Sequence, residues 1–194
     1  MNPDLSHETT LKDEKLVILI NGWIKSGKDT CADYLINTFP DEYITKISIA
    51  SALKDFVASK YNIPRELLNT QEGKKGYRHL LIEEAEEAKK KDINIWVKHT
   101  LGEIAKCNTP LIVIPDLRFI NEYQEIKKHY KVITLRINRF DTPIYEDPSE
   151  HQLDDFTFDY VIENKGSVAN FIDKIQIFIN MIKIDYKFIK SPIK

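Results

Sequence analysis

The sequence predicts an α/β fold, a central parallel sheet with helices on both faces in a three-layer α/β/α arrangement. Two short apolar runs without alternation, Leu16-Val17-Ile18-Leu19-Ile20 and Leu111-Ile112-Val113-Ile114 between Pro110 and Pro115, have the pattern of strands buried on both faces. Strand-like and helix-like segments alternate along the chain, which implies right-handed crossovers between parallel strands. The third observation is the stretch Gly22-Trp23-Ile24-Lys25-Ser26-Gly27-Lys28-Asp29-Thr30, which joins the first run to a helix-forming segment.

The elements follow in order. A strand is expected over residues 16–21, and a helix over 27–38, ended by Pro40 and Asp41. Residues 43–49 partly alternate with period two and read as a strand. Ser51 can cap a helix over 52–61 that carries Leu53, Phe56 and Val57 on one face. Pro64 and the charged stretch 71–76 interrupt the chain, and residues 76–91 are strongly helix-forming. After Asp92 a further helix carries Ile95, Trp96, Leu101, Ile104 and Ala105. The strand ending at Pro115 is followed by a helix over 121–129, a strand over 132–137, an irregular charged segment 138–156, a strand over 160–162 and a last helix over 168–182. Residues 1–14 are expected to be a disordered lead, 15–183 one folded unit, and 184–194 a tail.

Composition bounds the partners. The chain has 194 residues, 42% apolar and 30% charged, which suits one core. A net charge of −2 and a pI near 6.2 supply no global basic field for nucleic acid or an anionic membrane surface. The longest uninterrupted apolar run is the five residues 16–20, against the roughly 20 that span a bilayer. Residues 1–15 are polar and acidic, unlike a secretory signal or an Arg-rich transit peptide, so a soluble cytoplasmic protein is expected. Cys31 and Cys107 are too few for a disulfide framework or metal cluster and read as small buried apolar side chains.

The chemistry is concentrated in two places. Gly22, Gly27 and Lys28 fit G-x-x-x-x-G-K, in which backbone N–H groups wrap phosphate oxygens, a lysine reaches the outer phosphates and a helix N-terminus adds its dipole. Asp29 stands where the pattern has Ser or Thr, with the hydroxyl delayed to Thr30. This spacing points toward small phosphotransferases. Lys28 then neutralises the β- and γ-phosphates of a nucleotide, Thr30 and Asp29 act on a magnesium ion directly or through water, and Lys25 adds charge at the rim. Asp116-Leu117-Arg118 lies at the carboxyl end of a central strand, where open α/β sheets place ligands. Asp116 can hold the magnesium water shell or accept a proton, Arg118 can clamp a phosphoryl group with its planar fork, and Glu122 can orient Arg118.

Taken together, Ser26-Gly27-Lys28-Asp29-Thr30, Leu53-Lys54, Tyr77-Arg78-His79-Leu80-Leu81, Trp96-Val97, Asp116-Leu117-Arg118-Phe119-Ile120-Asn121-Glu122, Pro148-Ser149-Glu150 and Leu153-Asp154-Asp155-Phe156 through Gly166 resemble, in order, the phage-type deoxynucleoside monophosphate kinases over about residues 15–183. The animal-type phosphomevalonate kinases are similar over the same span. Both resemblances imply the P-loop nucleoside-monophosphate-kinase-like fold, with ATP and Mg2+ as cofactors, small-molecule nucleotides as substrates in the first case, a substrate-binding helical region at about 50–108 and a lid at about 138–156. They imply acceptor binding by Lys54, Arg78, Lys89, Arg118 and Phe119, a lid role for Arg139 and, more weakly, Arg136, and adenine packing at Asn164 and Gly166. Lys89 replaces the arginine that such kinases carry seven residues before Trp96. Phosphomevalonate kinases have two adjacent arginines after the strand-end Asp, and the second position here is Phe119, which suits stacking on a base or a place in the core. The expected activity is therefore phosphoryl transfer to a deoxynucleoside monophosphate, with phosphomevalonate as the alternative acceptor and a non-catalytic nucleotide-binding module as the alternative class. Region 76–108 offers either a homodimer surface or a solvated substrate flap.

Overall fold

The computed structural model describes residues 15–139 and 148–185. The expected lead, residues 140–147 of the expected lid and residues 186–194 of the tail lie outside them. The elements are β1 (Leu16–Asn21), α1 (Lys28–Thr38), β2 (Ile44–Lys46), α2 (Ala50–Tyr61), α3 (Gln71–Lys91), α4 (Ile95–Lys106), β3 (Leu111–Ile114), α5 (Ile120–Lys127), β4 (Lys131–Asn138), β5 (Tyr160–Glu163) and α6 (Val168–Asp185). Short 3-10 turns cover Arg65–Asn69 and Pro148–Glu150.

The five strands form one parallel sheet in the order β2-β3-β1-β4-β5. Leu16 pairs with Leu111 on one side and Lys131 on the other, which makes β1 the middle strand. Side-chain alternation then builds the layers. Leu16, Ile18 and Ile20 pack with Leu35 of α1 and Phe171, Ile175 and Phe178 of α6. Val17 and Leu19 pack on the opposite face with Trp96 and Ile104 of α4 and Ile126 of α5. An apolar run without alternation is the sequence consequence of filling both cores at once.

Two element starts differ from expectation. α2 begins at Ala50, and Ser51 does not cap it; instead the Asp116 carboxylate, from the far end of β3, accepts from the Ile49 and Ala50 N–H groups at 3.0 and 2.9 Å. α3 begins at Gln71 rather than near Gly76, because the Thr70 hydroxyl accepts from the Gly73 N–H at 3.0 Å and caps the helix. Gly73 fits there since it has no side chain: a Cβ would stand 1.8 Å from the Leu67 carbonyl oxygen. Strand β2 is also shorter than expected, three residues at a sheet edge.

These two glycines of one helix should respond oppositely to the same change. Gly73→Ala is expected to lose about 1–3 kcal/mol of stability through the clash. Gly76→Ala, where an added Cβ meets nothing within 4 Å, is expected to gain about 0.5–1 kcal/mol. Urea unfolding midpoints at unchanged slope measure both.

Candidate active site

The loop from β1 to α1 is shaped by close approaches. A Cβ on Gly22 would lie 2.7 Å from the Ile137 carbonyl oxygen, so the loop lies directly against β4. Gly27 has φ 104°, and a Cβ there would strike the Asn164 amide nitrogen at 2.6 Å. Lys25 is left-handed at φ 64°, a conformation that costs a non-glycine residue about 1 kcal/mol or more and gathers at ligand-holding loops. Asn164 Nδ2 donates to the Ser26 carbonyl at 2.8 Å and ties the turn after β5 to this loop. Ser26 Oγ is buried with no hydrogen-bond partner, an orphaned polar atom in the cradle. Lys25, Gly27, Lys28, Asp29, Thr30, Arg139, Asn164 and Gly166 line one cavity of about 260 Å³.

Behind this cavity the strand-end residues meet the loop. Burial lowers the Lys28 pKa, and the charges of Asp29, Glu150 and Asp116 oppose that effect while Arg118 adds to it. All these groups therefore act on one ammonium, which itself sits 3.4 Å from the Trp23 carbonyl. Arg118 donates from Nη1 to Ser149 Oγ at 2.8 Å and pairs through Nη2 with Glu150 Oε1 at 2.9 Å. Glu122 is buried and accepts from the N–H groups of Arg118 and Phe119 at 2.9 and 3.0 Å, holding the backbone of the same arginine. Burial pushes its carboxyl up to about 7, against the lowering effect of those two bonds. Asp116 is less free than the sequence suggested. Besides the two α2 amides, its Oδ2 accepts from Ser48 Oγ at 2.6 Å, so three donors already occupy it and it fixes the entry to α2.

Of the expected acceptor-binding residues, Lys89 and Phe119 come together with Arg118. Lys89 Nζ lies 3.4 Å over the centre of the Phe119 ring, and the charges of Glu122 and Arg118 both act on it. One ring face is thus covered by an ammonium and is closed to a base. Arg78 shares the Lys89 face of α3, being 11 residues earlier, but stands about 16 Å away along the helix axis. The two cannot grip one phosphate. Lys54 Nζ donates to Asn69 Oδ1 at 3.1 Å, and Arg65, which the sequence did not single out, donates to the same oxygen. Arg136, to which the resemblance gave only a weak lid role, does not face solvent from its strand. It is buried in β4 and donates to Asn21 Oδ1 and, at 2.7 Å, to Asp154 Oδ1. Glu150 is the residue whose place sequence reasoning missed, and its position in the Pro148-Ser149-Glu150 motif was the available signal. A larger cavity of about 1130 Å³ between α2, α3, α4 and β2 contains none of the expected site residues.

The donor chemistry suits a magnesium ion that arrives with phosphates. Asp29 and Thr30 are exposed hard-oxygen donors on the first turn of α1, beside Lys28 and in the same cavity. No group of three acidic, His or Cys ligands occurs among the described residues. No described helix is long and apolar enough to cross a membrane.

Comparison with known proteins gives two findings. The sequence model of the phosphomevalonate kinase family matches residues 20–132. Among solved structures, a gluconokinase from Sinorhizobium meliloti aligns at 10% identity and TM-score 0.50, covering 92% of this chain and 99% of that one. A dephospho-CoA kinase from Campylobacter jejuni aligns at 17% identity and TM-score 0.50, covering 87% and 98%. At these identities the structural matches establish the fold alone, a three-layer α/β/α arrangement around a parallel sheet.

Glu122 makes stability depend on pH in a defined direction. Its folded pKa of about 7 lies above the ordinary 4.5, so its favourable contribution is complete below pH 4.5 and is lost as pH rises through 7. Glu122→Gln keeps the acceptor oxygen for both amides and removes the titration. The stability of the wild type relative to this variant is expected to fall by up to about 3 kcal/mol between acid and pH 8. Urea unfolding of both proteins across that range checks it.

Proposed function

Because the chain belongs to the phosphomevalonate kinase family, we propose that it moves the γ-phosphoryl group of ATP onto the phosphate of a phosphomonoester, making a diphosphate. The observation that carries this reading is the cradle of the β1–α1 loop, where Lys28 and left-handed Gly27 line one cavity and the adjoining Ser26 Oγ is buried and unpartnered. ATP phosphates would lie along residues 22–30, with Lys28 against the outer two and the Asn164–Gly166 turn near the adenine. Asp29 and Thr30 would hold the magnesium ion, which when bound neutralises charge on the phosphates. Arg118 would clamp the transferring group, since phosphoryl transfer needs positioning and charge stabilisation more than covalent help. Arg139, which lines the same cavity, would add positive charge against the transferring group. Asp116 would act chiefly by holding the start of α2, given its three donors.

The acceptor we favour is a deoxynucleoside monophosphate. What supports it is Phe119 where a more basic site would have a second arginine, within an Asp116-x-Arg118-Phe119-x-Asn121-Glu122 motif. Lys89, whose ammonium lies on the Phe119 ring and feels the charge of Arg118, would take its phosphate together with that arginine. Phosphomevalonate is the second reading. It is favoured by the family match and by the Lys89 ammonium on Phe119, which adds a cation for an anionic acceptor and removes a stacking face.

A coupled ADP assay with dTMP, dGMP and phosphomevalonate separates the readings. Turnover with a deoxynucleotide and none with phosphomevalonate is the expected result, and the reverse pattern would establish the second reading. ATP binding without ADP formation on any acceptor would leave a nucleotide-binding module. Lys28→Ala and Arg118→Ala are each expected to cost roughly 10²-fold or more in kcat.

A further inference from the structure

Glu150 belongs to no phosphate-binding pattern, and we propose that it is a positioning residue that holds the Arg118 guanidinium in register with the phosphate loop. The proposal rests on Arg118 acting in phosphoryl transfer. One carboxylate serves both partners: Oε1 pairs with Arg118 Nη2 at 2.9 Å, and Oε2 accepts from the Ile24 N–H of the loop at 2.9 Å. Its side chain is only 4% exposed, so this is not a solvated surface pair of negligible worth. A carboxylate so buried is tolerable because both oxygens are engaged, and removal of either partner would leave it uncompensated.

The geometry fixes the plane of the arginine as well as its place. Ser149 Oγ accepts a hydrogen bond from Nη1 and Glu150 Oε1 pairs with Nη2, and the two residues are adjacent on one 3-10 turn. Two of the five guanidinium N–H groups are thereby used, which leaves three for a phosphoryl group. At the other end of the residue, Glu122 holds the Arg118 backbone N–H. The turn itself is docked a second time on the loop side. Asp154 accepts from Trp23 Nε1 at 3.3 Å and from Arg136 at 2.7 Å, and the Trp23 and His151 rings meet edge to face. Ile24 is four residues before Lys28, so any sliding of the loop past the arginine tip must stretch a bond to Glu150.

Glu150→Gln preserves size but replaces one acceptor oxygen with a donor, so it can serve Ile24 or Arg118 and not both. With whichever acceptor turns over, kcat is expected to fall roughly tenfold to a hundredfold while the KM for ATP stays within about twofold. In an Arg118→Ala background the same change should cost nothing further, because its effect passes through Arg118. A second readout is independent of turnover: the side-chain N–H resonances of Arg118 are expected to be resolved and slow to exchange in the wild type and to average in Glu150→Gln. Ser149→Ala, which deletes only the Nη1 contact, should weaken that protection partially and serves if the Gln variant does not fold. Unchanged Arg118 resonances, or additive losses in the double variant, would overturn the proposal. Absence of turnover with every acceptor would instead count against the phosphoryl-transfer reading, while the resonances still decide the role of Glu150.

Discussion

The site hangs from the end of β1, where the buried Asn21 side chain joins three strands. Its Nδ2 donates to the Leu117 carbonyl beyond β3 at 2.7 Å, and its Oδ1 accepts from Arg136 of β4. Parallel pairing on both sides of β1 already puts the carboxyl ends of all three strands at one edge. The Asn21 amide then sets the spacing there, one side chain across from the phosphate loop it precedes. Neither bond has a substitute in water, since the residue is buried and both ends of the amide are used.

From that edge outward the same pattern recurs, in which buried or half-buried polar groups hold partners on other segments or at the start of the next helix. Asp116 caps α2, Glu122 holds the Arg118 backbone, and Glu150 spans from Arg118 to Ile24. The opposite charges are balanced closely enough that Lys28 feels three carboxylates and one guanidinium while burial still lowers its pKa. Such an arrangement is preorganised, because its dipoles and charges are fixed by the fold itself. Around α3 the arrangement is looser. Lys89 rests on Phe119, and Arg78 stands far from it along the helix.

Much of this was legible in the sequence. The doubly buried runs of β1 and β3, the glycine spacing of the loop and the Asp116–Glu122 motif lie within short stretches, and short-range pattern carries their meaning. One cavity gathers loop residues together with Arg139, Asn164 and Gly166 at the strand ends of the parallel sheet. What could not be read were the contacts between residues far apart in the chain. Ser51 looked like the cap of α2, whereas Asp116, 66 residues from Ala50, supplies it. Arg136 looked like a lid cation, whereas Asn21 and Asp154 bury it.

The sequence by itself determined the layered α/β class and the phosphate-loop pattern, because both depend on local backbone preference and side-chain periodicity; of its two family resemblances, the one to phosphomevalonate kinases is the one the family match supports. Only the tertiary structure decided which charge meets which. Glu150 and Ile24 are 126 residues apart, and Arg118 and Ser149 are 31 apart. A hydrogen bond is felt over about 3 Å, so its partner is chosen by how the chain packs and leaves no periodic trace in the sequence.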